Sequence, residues 1–295
     1  MIKYNPKSWF QLIFALHKSD TFRILWKELI YIGLFTVLIA YLEITFFPEA
    51  EELSQLVSVY SLVGFVISLL LVFRTNTAYD RWWEGRKKWG CMVNDTRNLS
   101  MKINMLGLSD DDNDFFKRMI PNFTFASKEH LRVNIMLEEL ELTQEEVQEF
   151  LGIEHVPLHI VSMMYQRLKA LKTQKMLTEE EFLAIDTNMN ALMDSLGACE
   201  RILNTPIPFS YSLFLKKFVF IYVTTMPLAF VTTFGYFSAL IATFVFYVLV
   251  SMEVLAEEIE DPFGTDDNDL PTDQLCVKIK QNVNEVFAKT HSTLR

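Results

Sequence analysis

The chain has 295 residues, of which 51% are hydrophobic and 22% charged, with 25 Phe against only 9 Gly, and its mean hydropathy is positive at +0.18. Charge and apolar character must therefore be segregated along the chain, which points to a membrane protein with a sizeable aqueous part and excludes disorder, collagen and a small disulfide scaffold. The 27 basic and 37 acidic residues leave a net charge of −10, which argues against a nucleic-acid partner, and the odd, widely spaced Cys91, Cys199 and Cys276 read as reduced thiols.

The first apolar block covers residues 29–47 and is interrupted only by Glu43; Pro48, Glu49, Glu51 and Glu52 then form a short acidic turn. Residues 53–73 follow, 21 positions without a charge, close to the roughly 20 needed to span a hydrocarbon core. Together they predict a transmembrane hairpin over 29–73. A third block has 35 uncharged residues between Lys217 and Glu253, too long for one span at roughly 1.5 Å per residue. It should fold into two antiparallel spans within 216–252, turning at Gly235, with Pro227 kinking the first.

Lys3, Lys7, Lys18, Arg23 and Lys27 precede the first span, Arg74, Arg81 and Arg86 to Lys88 follow the second, and Lys216 and Lys217 precede the third, whereas neither hairpin turn holds Lys or Arg. This bias puts the N-terminal segment 1–28, the stretch 74–215 and the C-terminal segment 253–295 on the cytosolic side of the membrane. The first block starts too late and lacks the small-residue site of a cleaved signal peptide. On the cytosolic side, the sequons at Asn94, Asn98 and Asn122 carry no meaning for glycosylation.

Within 74–215, residues 115–133, 143–151, 159–177 and 178–203 each place apolar residues three and four apart, as helices do. Thr178 followed by Glu180 and Glu181 opens the last as an N-cap with an acidic first turn and a candidate capping box to Glu181. The run SDDDND at 109–114 reads as an exposed loop. No strand or internal repeat is evident, so the predicted fold is an all-α integral membrane protein with four transmembrane helices and a helical cytosolic domain.

No phosphate loop, paired CxxC, HExxH helix or GxSxG elbow occurs. His155 and His159 would share a helix face, but Pro157 sits between them and no third metal ligand is evident. Glu138, Glu139, Glu141, Glu145 and Glu146 read as a solvated face rather than a catalytic pair. The residues do not recommend an enzyme.

On the second span Ser61, Phe65, Leu69, Phe73 and Thr77 lie along one helical face. In a monomer this is packing surface; around an axis of several copies the same stripe becomes stacked apolar rings that gate by dewetting. The following segment FRTNTAYDRWWEGRKKWG, 73–90, interleaves Asp80, Arg81, Glu84 and Arg86 with Trp82, Trp83 and Trp89. It suits either an interfacial anchor or ion pairs between helices and subunits, since Asp80 and Glu84 at i,i+4 each need a basic partner elsewhere.

This segment, with ERILNTPIPFSYSL at 200–213 and IEDPFGTDDNDLPTD at 259–273, resembles the bacterial bestrophins, a branch of the bestrophin ion-channel family, over roughly residues 20 to 275. The resemblance implies a homopentamer around one central pore in the lipid bilayer, passing small monovalent ions. It implies a pore neck at Phe65, Leu69 and Phe73, and a cytosolic constriction at Glu180, or by a slip of alignment at Glu181 or Phe182. Several relatives carry an apolar ring there; five glutamates would enrich cations instead. The third motif is similar to the family's calcium clasp and puts Glu258, Asp261, Asp266 and Asp269 at the matching positions. Such oxygen ligands suit Ca²⁺, but an acidic turn could equally hold neighbouring arginines, and no cofactor is required. With net −10 per chain, the expectation is a passive channel favouring cations; a chloride-selective channel is the alternative, and a membrane-anchored scaffold or enzyme a more distant one.

Overall fold

A computed structural model describes residues 21–47 and 55–290. The expectations resting on Lys3, Lys7 and Lys18 and on the acidic turn at 48–52 lie outside the described residues. Every regular element described is helical: α1 (Thr21–Phe46), α2 (Leu56–Met105), α3 (Asp110–Leu131), α4 (Gln144–Glu149), α5 (Val156–Thr173), α6 (Glu179–Asn204), α7 (Phe209–Thr225), α8 (Pro227–Phe234), α9 (Ser238–Glu260) and α10 (Thr272–Thr290), with single 3₁₀ turns at Leu137–Glu139 and Gly235–Phe237. The stretches Thr21–Phe46, Leu56–Met105 and Phe209–Glu260 are long and apolar enough to cross a membrane.

The chain divides into two compact units. The first comprises Met1–Trp82, Pro206–Asp261 and Asp266–Asn268; the second comprises Trp83–Thr205, Pro262–Thr265 and Asp269–Arg295. In the first unit α9 packs along α1, α7 and α8. The long apolar stretch thus doubles back as its length requires, and Lys216 midway along α7 pairs with Glu257 near the end of α9. The reversal is at Gly235, whose φ of +53° favours a residue without Cβ. Pro227 does more than kink the first arm. It ends α7 and begins α8 at the N1 position, where its missing N–H costs nothing.

Lipid tails are as apolar as leucine, so burial alone does not drive spanning helices together; close approach of small residues does. Thr36, Ala40, Ala229 and Ala242 are accordingly buried. A Cβ on Gly64 would stand 2.6 Å from the Tyr222 hydroxyl, which donates to the Tyr60 carbonyl at 3.3 Å. Around these contacts Leu25, Leu29, Ile67, Leu71, Val219 and Leu249 form a core drawn from α1, α2, α7 and α9.

Two helices run beyond the apolar blocks that the sequence marks. Helix α1 covers Thr21–Phe46, and α2 continues unbroken from the apolar block to Met105. A charged sequence ends an apolar pattern but not a helix: the Trp, Arg, Lys and Glu of this segment all tolerate helical backbone. The expected loop at 109–114 is also corrected. Ser109 is an N-cap that accepts from the Asp112 amide, and Asp110, Asp111 and Asp112 form the first turn of α3, where the helix dipole favours negative charge.

In the second unit α3 packs against α5, α6 and α10, burying Phe116, Ile120, Met164, Leu192 and Ile279. Two short helical starts are locked by reciprocal capping boxes, Thr143 with Glu146 and Thr178 with Glu181. The sequon residue Asn122 is buried; its amide donates to the Glu141 carbonyl at 3.0 Å and its oxygen accepts from the Glu141 N–H at 2.9 Å.

Lys128 is 2% exposed and is surrounded by Glu139 at 2.5 Å, Asp273 at 2.9 Å and Glu129 at 3.1 Å. Burial opposes its charge, but the hydrogen bonds to Glu139, Asp273 and Glu129 outweigh that and hold the ammonium above its ordinary range. Arg132 donates to Asp273 at 2.7 Å, and this pairing, aided by Lys128, holds the Asp273 carboxyl well below the usual carboxylate range. A depressed carboxyl contributes stability above its unfolded pKa of about 3.9 and loses it as pH falls. Calorimetric unfolding should therefore weaken below about pH 5, and Asp273→Asn should be less stable at neutral pH with a shallower acid decline. An unchanged slope would remove Asp273 from the acid response.

Candidate pore helix and its anchor

Helix α2 has two distinct faces in the first unit. Ile67, Leu71, Arg74 and Ala78 are buried, at the three- and four-residue spacing of one helical stripe. Phe65, Leu69 and Phe73 are 68%, 45% and 56% exposed on the other side. Leu62, Val66 and Val72 are exposed as well, so this outer half of α2 is surface for lipid or for further copies of the chain. Ser61 and Thr77, at the ends of the stripe, donate back to the carbonyls of Val57 and Phe73, each at 2.9 Å.

The orientation of α2 is set by Arg74, whose side chain is 1% exposed. Its Nη2 donates to Glu260 Oε2 at 2.6 Å, and its Nε lies 3.7 Å from Glu253 Oε1. Glu260 is used twice more: its Oε1 accepts from the Ile207 amide at 2.7 Å and its carbonyl from Arg81 Nε at 3.1 Å. One residue further, Trp82 Nε1 donates to the Asn268 carbonyl at 3.0 Å. This cluster was missed in the sequence, where Arg74 serves only as a flanking charge; the usable signal was Glu253 and Glu260 at the end of an apolar block.

The three positions considered for the second constriction differ. Glu181 is committed to the N-cap: the Thr178 amide and hydroxyl donate to its carboxylate at 2.9 and 3.0 Å, which holds its pKa below the ordinary value. Phe182 lies under Lys172 Nζ, 5.1 Å from the ring centre, and Lys172 also pairs with Glu179. Glu180 is exposed. It is the one carboxylate of this acidic first turn that neither caps the helix nor pairs with lysine.

In the acidic turn, Glu258 accepts from the Asn268 amide at 2.7 Å. Asp261 and Asp266 are exposed and Asp269 is buried. Elsewhere in the chain His130, His155 and Glu200 bring three ligand atoms within 4.8 Å of one another. His155 and His159 do not act together, as Pro157 between them suggested: His155 precedes α5 as its cap, while His159 packs against Phe150, with ring centres 4.8 Å apart. Glu84 finds the basic partner its spacing called for in Arg201, at 2.6 Å. Burial pushes the Cys199 and Cys276 thiols up to about 12, so neither is a ready nucleophile at neutral pH.

The family model described as bacterial/fungal bestrophin protein matches residues 1–285. A voltage-dependent anion channel-forming protein of Nostoc sp. is 36% identical, over 95% of this chain and 92% of its own length. A protein of the same description from Synechocystis sp. is 35% identical over 75% of each. The crystal structure of a bacterial bestrophin homologue from Klebsiella pneumoniae superposes with a TM-score of 0.80 at 28% identity, covering 88% of this chain and 97% of that one.

Removing one partner of a buried ion pair leaves an uncompensated charge, at a cost of about 3–5 kcal/mol. Arg74→Met should lower the unfolding midpoint in detergent accordingly, and adding Glu260→Gln should recover part of the loss. Equal midpoints for Arg74→Met and the parent would show that Arg74 does not anchor the helix.

Proposed function

Because the chain belongs to the bacterial and fungal bestrophin family, we propose that it acts as a passive ion channel rather than an enzyme. Five copies surround one pore in the inner membrane, with both termini and the second unit in the cytosol, as the Lys and Arg bias favours. The observation that carries this reading is the division of α2: Arg74 and the apolar core occupy one face, leaving Phe65, Leu69 and Phe73 outward at four-residue spacing. Five such faces make three apolar rings, a neck that empties of water when narrow and conducts when the side chains turn aside.

Glu180 supplies the cytosolic ring, because its neighbours are already engaged. With net −10 per chain, that ring and the vestibule favour cations. The acidic turn at Glu258, Asp261, Asp266 and Asp269 ties helices together rather than holding Ca²⁺, in keeping with the bond between Glu258 and Asn268. A second reading, anion selectivity, is favoured by the relatives described as voltage-dependent anion channel-forming proteins.

Recordings of the purified protein in planar bilayers separate the two. Under a salt gradient the reversal potential should move toward the cation equilibrium potential, and Glu180→Gln should reduce that shift; movement toward the chloride potential decides for the second reading. Replacing Phe65, Leu69 and Phe73 together by Ala should raise conductance or open probability, and unchanged single-channel currents would move the gate elsewhere.

A further inference from the structure

We propose that His130, His155 and Glu200 form a binding site for one transition-metal dication of the zinc class. The three side chains come from separate elements, the last turn of α3, the cap of α5 and the C-terminal part of α6. Both imidazoles aim Nε2 at the same atom, Glu200 Oε1, at 2.8 Å from His130 and 3.0 Å from His155. Their rings stack with centroids 4.3 Å apart and planes 27° apart.

Around a tetrahedral ion with metal–ligand bonds of about 2.0–2.1 Å, neighbouring ligand atoms stand about 3.3 Å apart. The two edges shared with Glu200 need to open by less than about half an ångström to admit such an ion. The side chains are 28%, 35% and 27% exposed, so an ion can enter and water can complete its shell. Two imidazoles and one carboxylate suit zinc, nickel or copper, whereas magnesium and calcium prefer oxygen ligands alone.

The site is also linked to the end of a helix. The Leu158 amide donates to His155 Nδ1 at 3.2 Å, so in neutral His155 the ring proton sits on Nε2, facing Glu200. An ion bound at Nε2 takes the place of the proton there, the proton moves to Nδ1, and Nδ1 can then no longer accept from Leu158. Loading the site therefore uncaps α5.

The test uses the full chain, untagged and in detergent, with His17→Ala and His291→Ala removing the terminal histidines. Titration with Zn²⁺ should show one saturable site per chain. Glu200→Gln, which keeps an oxygen for the imidazoles to bond, and His130→Asn should each weaken it at least about tenfold without changing the circular dichroism. Amide exchange around Leu158 should quicken on adding Zn²⁺ in the parent and not in Glu200→Gln. Absence of saturable binding, binding undiminished in both variants, or Leu158 exchange that ignores Zn²⁺ would overturn the proposal.

Discussion

A guanidinium cannot be withdrawn from water alone: the idealised cost of moving such an ion into a low-dielectric interior is on the order of 20 kcal/mol. Arg74 is buried nonetheless, and Glu253 and Glu260 on α9 meet its charge. This restricts how α2 can turn. Successive residues of a helix are about 100° apart, so rotating α2 by one position would pull the guanidinium from both carboxylates. With Arg74 held, the direction of every other residue in that part of the helix follows, including the outward placing of Phe65, Leu69 and Phe73.

What could be read from the sequence is what depends on local pattern. The apolar blocks, the turn at Gly235 and the capping box of Thr178 with Glu181 involve residues within one stretch or one turn. The extent of α2 was less legible, because the edge of an apolar pattern marks where the environment changes, and a helix can cross that edge. The acids of 110–112 suggest a loop by composition and a helix start by electrostatics, and here the second prevails. The burial of Arg74 and the pairing of His130 with His155 were hidden for a different reason. An arginine after an apolar run also fits a simple interfacial anchor, and its carboxylate partner at Glu260 lies 186 residues further on; spacing within one helix cannot reveal it.

The acidic surplus likewise means something different once its members have partners. Asp112, Glu146 and Glu181 serve helix starts, Glu129, Glu139 and Asp273 enclose Lys128, and Glu253 and Glu260 hold Arg74. Many carboxylates therefore act at contact distance on particular cations, and Asp273 on two of them, Lys128 and Arg132. Glu180, exposed and outside these caps and pairs, keeps its charge facing the solvent.

The reversal at Gly235–Phe237 bears on how the chain enters a bilayer. The segment between the two arms is three residues with no charge, and the ion pair of Lys216 with Glu257 stays at the end where the hairpin begins and finishes. Inserting this hairpin carries only those uncharged residues to the far side and drags no ionised side chain through hydrocarbon. Moving even one would cost several kcal/mol. The topology is thus one that a nascent chain can reach as well as one that is stable when finished.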